Sequence, residues 1–474
     1  MLTDIVLFRN RQSKRTSDNI VAQGLFRDQF GDAYIQIYDE KGTLRTFPIK
    51  SKQFKYALIR LAVTKNRIAP SSSELRTVIE TAAAFAEVTE PVILFNRIAE
   101  SDGCIYYNLG NQHHEVVEIT ATGWRLRDSC PVNFRTGSIM GAQVKPIVQK
   151  SGIGKIFDFV NITGASARIL FEVWLVSNFL PNIDHPIAAI SGPAGSVKTT
   201  TAEIIKSTTD PSTAIDIGPF PNSVAELAQL LSHNYMTVFD NLTQIKPNYS
   251  DLLCQAVTGG VFMKRKLYTD QGIVALPMRG CVVLTGINVT AEKPDLLDRM
   301  LVFPLEKISE EHRKGKNEVK AAFEECLPGI LGAIFDALSL ALAQIPKIHP
   351  EKLPRLADFY KAGIAISQAL GHEMGAFERA FAENLKRLQV SAIDGNPLLQ
   401  AVLAFMQNEQ KWEGSATDLL LALNRMGCSN SLPKAPNQLT RKLREVEQNL
   451  RSEQIRVEWG RTAANVSHIK LKKS

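Results

Sequence analysis

The stretch ISGPAGSVKTT, Ile190 to Thr200, nearly spells a phosphate-cradling loop. Gly192, Lys198 and Thr199 stand where the pattern G-x-x-x-x-G-K-[ST] requires them, and Val197 replaces the glycine before the lysine. A short apolar strand, HPIAAISG, leads in and a helical stretch, KTTTAEIIKS, leads out, which is the context phosphate binding needs. The cradle then runs through Gly192, Pro193, Ala194, Gly195, Ser196, Val197, Lys198, Thr199 and Thr200, with backbone N–H groups and the positive end of the helix facing the anion. Lys198 would reach the outer phosphates of a nucleotide and the Thr199 hydroxyl would hold Mg2+. A side chain at Val197 is compatible only if the backbone there avoids positive φ, which a β-branched residue tolerates badly. A second apolar run, MTVF, ends in Asp240, placed to share the Mg2+ shell with Thr199. Asn241 follows, and an amide can orient water but cannot take its proton. A third run, GCVVLTGIN, ends in Asn288.

These residues need a scaffold, and the chain supplies enough length for several domains. From 155 to 308 strands and helices alternate, the signature of an α/β unit with a parallel sheet. Residues 309–392 read as a helical lid. Residues 1–150 read as an α+β collar, with a hairpin around DEKG, a serine-capped helix in SSSELRTVIETAAAFAEV, and strands in GCIYYNLG, HEVVEIT and GWRLRD. Within the α/β unit, GGVFMKRKLYTDQGIVALPM reads as a hairpin joined at TDQG. Strand alternation sends Lys264 and Lys266 to one face and Arg265 to the other. Residues 396–474 read as three helices and a hairpin, the shape of a winged helix. Its long helix, PNQLTRKLREVEQNLRSEQ, carries Arg441, Lys442, Arg444 and Arg451, and Arg456, Arg461, Lys470 and Lys472 fall on or beside the wing.

Composition narrows the class. Apolar residues make up 45% and charged residues 22%, ordinary for a soluble globular protein. The opening MLTDIVLFRNRQSKR places Asp4 in its only short apolar run, unlike a secretory leader. The longest apolar stretch, GILGAIFDALSLALAQI, is broken by Asp336 and has helical period, so a buried helix is expected rather than a membrane span. Six scattered cysteines without a C-x-x-C pair predict reduced thiols in a cytoplasmic protein. The net charge is +7, and Lys434–Ser474 holds ten Lys/Arg against four Glu, as expected for a module that meets a polyanion.

The order GPAGSVKTT, TVFDN, AVTGGVFMKRKLYTD, VVLTGIN and DLLDRMLVFPL resembles AAA+ ATPases of the helicase kind. The resemblance is specifically to the superfamily 3 and phage or plasmid primase-helicase group, with its kin the minichromosome maintenance helicases. The resemblance covers about residues 155–390 and extends loosely to ATP-binding proteins of bacterial mobile elements. In minichromosome maintenance proteins the residue before the loop lysine is typically alanine, a precedent for Val197. The resemblance implies an α/β AAA+ core in which Lys198 and Thr199 are Walker A ligands of ATP and Mg2+, and Asp240 is the Walker B carboxylate. It also implies that Asn288 is the water-positioning sensor, that Arg299 is an arginine finger acting on a neighbour's γ-phosphate, and that Arg355 is a second sensor. A trans arginine implies a head-to-tail homo-oligomeric ring, usually a hexamer. Lys264, Arg265 and Lys266 would line a channel around a single DNA strand, and the tail would bind duplex. The function so implied is an ATP-dependent helicase or replication initiator of a phage, plasmid or other mobile element in the bacterial cytoplasm. The alternative is a nucleotide-gated DNA-binding remodeller or defence regulator that unwinds nothing.

Overall fold

The computed structural model describes residues 22–38, 44–66, 69–111, 113–135, 140–148, 152–213, 217–265, 273–291, 294–394, 396–407, 409–426, 432–461 and 467–473. At the front, β1 (Ala22–Asp28), β2 (Ala33–Tyr38) and β3 (Leu44–Pro48) pair antiparallel, backed by α1 (Lys52–Asn66) and α2 (Ser72–Glu87). A short strand β4 (Pro91–Val92) joins β1 in parallel. The hairpin expected around DEKG is β2–β3, with Tyr38 opposite Leu44, although its turn lies outside the described residues. A capping box starts α2, as its serines predict: Ser71 Oγ accepts from the Glu74 N–H, and the Glu74 carboxylate accepts from the Ser71 N–H.

The three strands expected next are joined by a fourth, giving an antiparallel sheet of β5 (Ile98–Ser101), β6 (Cys104–Asn108), β7 (Val116–Thr120) and β8 (Gly123–Arg127). Beyond it come α3 (Ala165–Ser177), β9 (Ile187–Ser191), α4 (Lys198–Thr209), β10 (Ile217–Gly218), α5 (Val224–His233), β11 (Met236–Ile245) and α6 (Pro247–Thr258). A hairpin of β12 (Val261–Arg265) and β13 (Ile273–Pro277) precedes β14 (Cys281–Ala291) and β15 (Met300–Pro304). Five of these strands form a wholly parallel sheet in the order β10-β11-β14-β9-β15. Ile187, Ala188, Ala189 and Ile190 of β9 are buried, as a strand covered on both faces requires.

Three helices follow, α7 (Lys316–Gln344), α8 (Ala357–Ala369) and α9 (Ala376–Asp394). Among the described residues α7 alone is long and apolar enough to cross a membrane, yet 67% of its apolar window is buried in the fold. Asp336, which interrupts that window, accepts a 2.8 Å hydrogen bond from Trp124 Nε1 of β8. One apolar core runs from Ile98 to Leu388 and includes Tyr107, Val117, Trp174, Phe303 and Phe335, so it continues across the sequence boundary near residue 150.

The tail has its own core, including Leu398, Leu419, Leu439, Leu450 and Leu471. Its elements are α10 (Pro397–Gln407), β16 (Lys411–Ser415), α11 (Ala416–Arg425), α12 (Pro436–Glu445), α13 (Glu447–Ser452), β17 (Ile455–Arg461) and β18 (Ser467–Lys473). Two expectations change here. The single long helix is broken at Val446, whose side chain is buried in the tail core and whose backbone (φ −101°, ψ 5°) leaves helical geometry. A third strand, β16, pairs with β18 to give the order β16-β18-β17.

What holds the sheet to the front strands is a polar clamp on the C-terminal end of α4. A helix leaves its last carbonyls without partners of its own. Tyr107 Oη donates to Thr209 O at 3.1 Å, and Gln143 Nε2 donates to Ser207 O and Thr208 O, both at 3.0 Å. Arg97, 0% exposed, pairs with Asp210 at 2.9 Å and donates to the Asn108, Gly141 and Pro211 carbonyls. Burial alone would raise the Asp210 carboxyl, but the Lys206 and Arg97 charges and the Met236 N–H hold it down at about 2. Arg97→Ala strands a buried carboxylate, and it is expected to lower the unfolding free energy by about 3–5 kcal/mol in urea titrations. A loss under about 1 kcal/mol contradicts the clamp.

A second prediction concerns His185, which is buried at the entry to β9 against Tyr235. Burial, reinforced by the Arg279 charge, lowers its imidazole to about 4. The unfolded chain binds that proton near pH 6.5, so this contribution to stability is complete above pH 6.5 and lost as pH falls toward 4. The Asp210 contribution is lost only below pH 3.8, so the two windows do not overlap. His185→Leu is expected to flatten the pH dependence of unfolding between pH 6.5 and 4, and an unchanged slope contradicts this.

Candidate phosphate-loop site

β9 ends at Ser191 and the chain turns through Gly192–Val197 into α4. Two contacts force glycine at 192: a Cβ there would lie 2.5 Å from Leu305 O and 2.8 Å from Ser196 Oγ. Gly195 has φ +80°. Val197 has φ +60° and ψ 32°, against the expectation that valine would keep this position out of the left-handed region. The handover from loop to helix demands that conformation, which is why the general pattern has glycine there; here a β-branched residue is held in it, a strain of order 1–3 kcal/mol. The Ser196 hydroxyl is buried and unpartnered among the described residues.

Lys198 folds back over the loop, its Nζ donating to Gly192 O at 2.7 Å and Pro193 O at 2.9 Å. Thr199 Oγ1 donates to Asp240 Oδ2 at 2.8 Å. Asp240 reaches that position because β11 loses register between Phe239 and Leu242, a bulge that puts Asn241 at φ +61°. The Asn241 N–H turns back to Asp240 Oδ1 at 3.0 Å, and the buried Thr285 hydroxyl also donates to that oxygen. Sequence reasoning missed Thr285, although it sits in the VVLTGIN run three residues before Asn288. Hard oxygen donors from Thr199 and Asp240, at the N-terminus of α4, fit a Mg2+-bound polyphosphate. The backbone of Asn288 lies in β14, and its side chain lies outside the described residues.

Arg299 and Arg355 meet elsewhere. Both guanidiniums pair with Asp295, Arg299 at 2.8 Å, and Arg355 also lies 3.6 Å from Asp298. Burial pulls the Asp295 carboxyl up, but hydrogen bonds from Arg299 and Cys254 and the two arginine charges hold it below the usual range. Only 12% of the Arg299 side chain is exposed. The Ile187 N–H donates to Arg299 O at 2.9 Å, which puts Arg299 at the start of β9, whereas the phosphate loop leaves from its end. Five residues of strand separate the two, about 16 Å. Neither arginine serves its own chain's loop in this conformation.

A different cation does approach it. The guanidinium of Arg313 lies with Nη2 3.1 Å from where a Gly195 Cβ would stand. EEHRKGK offers no spacing signal by which Arg313 could be found in the sequence.

The remaining basic candidates are dispersed. On β12 Phe262 packs toward the core and Lys264 shares its face, while Val261 (46%) and Met263 (68%) are the exposed ones. The Arg265 side chain and all of Lys266 lie outside the described residues. In the tail, Arg441 and Lys442 are exposed, with Arg441 4.0 Å from Glu445. Arg444 stacks over Trp459 at 4.8 Å, and Lys470 pairs with Glu458 at 2.9 Å. Lys411, Lys472 and Arg456 face one another across the three strands in a single exposed row. The Arg461 side chain lies outside the described residues.

A family model described as an actinomycete integrative conjugative element replication protein matches residues 153–387, and the model of the C-terminal domain of that protein, RepA, matches 398–474. No curated protein matches the chain. Among solved structures, an A-form apo structure of the NrS-1 C-terminal region aligns at 12% identity over 95% of this chain and 96% of that chain, with TM-score 0.40. A second apo structure of that region aligns at 12% identity over 94% and 95%, with TM-score 0.39. Likeness at that level carries no weight for fold or function. The two family models meet the chain in order and together span about two thirds of it, so the protein belongs to the replication proteins of actinomycete integrative conjugative elements.

Proposed function

We propose that this chain is the ATP-driven motor of its element's replication, an AAA+ helicase or initiator that works in the cytoplasm as a homo-oligomeric ring, with six protomers the expected number. The observation that carries the reading is the meeting of Thr199 and Asp240, 2.8 Å apart, where the Gly192–Thr199 loop leaves the parallel sheet. The order β10-β11-β14-β9-β15 supports it, because the loop strand and the acid strand flank the strand that ends near Asn288, the arrangement of AAA+ cores. Residues 155–308 then form the motor and 309–392 its lid. Of the 1–150 region, β5–β8 share the motor's apolar core.

Mg2+, when bound, supplies neutralising charge across the phosphate oxygens. Thr199 and Asp240 would hold it, while Thr285 and the Asn241 N–H fix the carboxylate's orientation. Lys198 would leave the Gly192 and Pro193 carbonyls and grip the outer phosphates. Arg299 lies too far along β9 to act on its own loop, which favours action across a seam between protomers, with Asp295 releasing it on assembly.

The tail supports DNA contact. Helix, strand, three further helices and a hairpin follow the order of a winged helix, and the Lys411–Lys472–Arg456 row sets like charges side by side. Glu413, paired with Lys411 at 2.8 Å, and Glu458 beside the other two offset part of that charge, and a polyanion would be drawn to the remainder. The β12–β13 hairpin keeps its proposed place in the channel, with Lys264 at its core-facing side. Asn241 favours a second reading, a nucleotide-gated remodeller that binds DNA without unwinding it, since no proton acceptor stands at that position.

Strand displacement on a forked duplex with Mg-ATP separates the two. The motor reading expects displacement by the wild type and none by Lys198→Ala; ATP turnover stimulated by DNA without displacement favours the remodeller. For the tail, replacing Arg456 and Lys472 together by Gln is expected to reduce the salt slope of duplex binding by about two units. An unchanged slope removes the row from the interface.

A further inference from the structure

The chain between β15 and α7 folds back over the phosphate loop and is anchored at both ends. The Leu305 N–H donates to Ser191 O at 2.7 Å and the Ile308 N–H to Gly195 O at 3.4 Å. At the other end Lys316 pairs with Glu203 of α4 at 2.7 Å. Arg313 lies between these anchors, and its Nη2 rests against Gly195. The side chain is exposed, and no carboxylate among the described residues pairs with it. Lys198, on the same loop, is bound among the described residues to two carbonyls. Two cations, the loop amides and the positive end of α4 thus meet at the loop, and the carboxylate beside them, Asp240, is taken up by Thr199, Thr285 and the Asn241 N–H. Arg299 and Arg355 are occupied by Asp295 at the far end of β9.

We infer that Arg313 is the guanidinium that grips the terminal phosphates from within the same chain, and that it makes the site discriminate nucleoside triphosphate from diphosphate and monophosphate. The inference rests on reading the Gly192–Thr199 loop as a nucleotide site. A guanidinium presents paired donors that match phosphate oxygens, which a flexible ammonium does not, so Arg313 and Lys198 are not interchangeable. Because the 306–315 segment joins the loop to α7, the same contact couples the number of phosphates to the first lid helix.

The test uses the full-length chain with Mg2+ and fluorescently labelled ATP, ADP and AMP, for wild type, Arg313→Ala, Arg313→Lys and Lys198→Ala, each checked for an unchanged melting transition. Arg313 is exposed, so its replacement leaves the core intact. The expected result is that Arg313→Ala weakens ATP binding by about tenfold or more, changes AMP binding little, and is only partly rescued by Arg313→Lys. If Arg313→Ala retains the wild-type preference for ATP while Lys198→Ala loses binding, the nucleotide site stands and the role of Arg313 is refuted. If the wild type binds none of the three nucleotides, the site itself is refuted and this inference with it.

Discussion

The passage from β9 into α4 constrains everything else. A helix beginning directly at the end of a buried strand must turn its first amides outward, and the turn is achieved only by placing Gly195 and Val197 at positive φ. Such conformations at a helix N-terminus are the kind that turn backbone N–H groups toward an anion, with the helix dipole behind them. Gly192 is fixed by its contact with Leu305, so the loop, β15 and the returning 306–315 segment form one packed unit. A valine held at φ +60° persists only where the surroundings over-determine it, and here they do.

The other end of α4 is fastened with comparable care. Tyr107 and Gln143 satisfy its last carbonyls, and Arg97, Lys206 and Asp210 form a buried charge network beneath them. The helix that leaves the loop at its N-terminus is thus tied at its C-terminus to the front strands. The loop and residues 97–143 are thereby fastened to opposite ends of one helix.

Much of this was legible in the sequence. The strand–loop–helix context of GPAGSVKT, the apolar runs ending at Asp240 and Asn288, and the helical period of 309–392 each reflect local rules of period and turn chemistry. What stayed hidden depends on tertiary contact. Val197 at positive φ contradicts its own preference and is imposed by the loop. Strand β16 is five residues long with a glycine in it, too weak a pattern to read unaided, and exists because β18 pairs with it. The break at Val446 follows from burial of that side chain. Arg313 and Asp295 carry no spacing signal, and only the return of the chain over the loop and the turn before β15 bring them to Gly195 and to the two arginines.

The central claim of the proposal is that nucleotide is held between protomers, and mixing two impaired chains tests it directly. Lys198→Ala lacks the loop lysine and Arg299→Ala lacks the remote arginine, so each alone is expected to be without ATP turnover. In a mixed assembly some seams combine an intact Lys198 from one protomer with an intact Arg299 from the next. The account predicts that mixing restores a measurable fraction of wild-type ATP hydrolysis. Two inactive chains that stay inactive at every mixing ratio, under conditions where they co-assemble, contradict it.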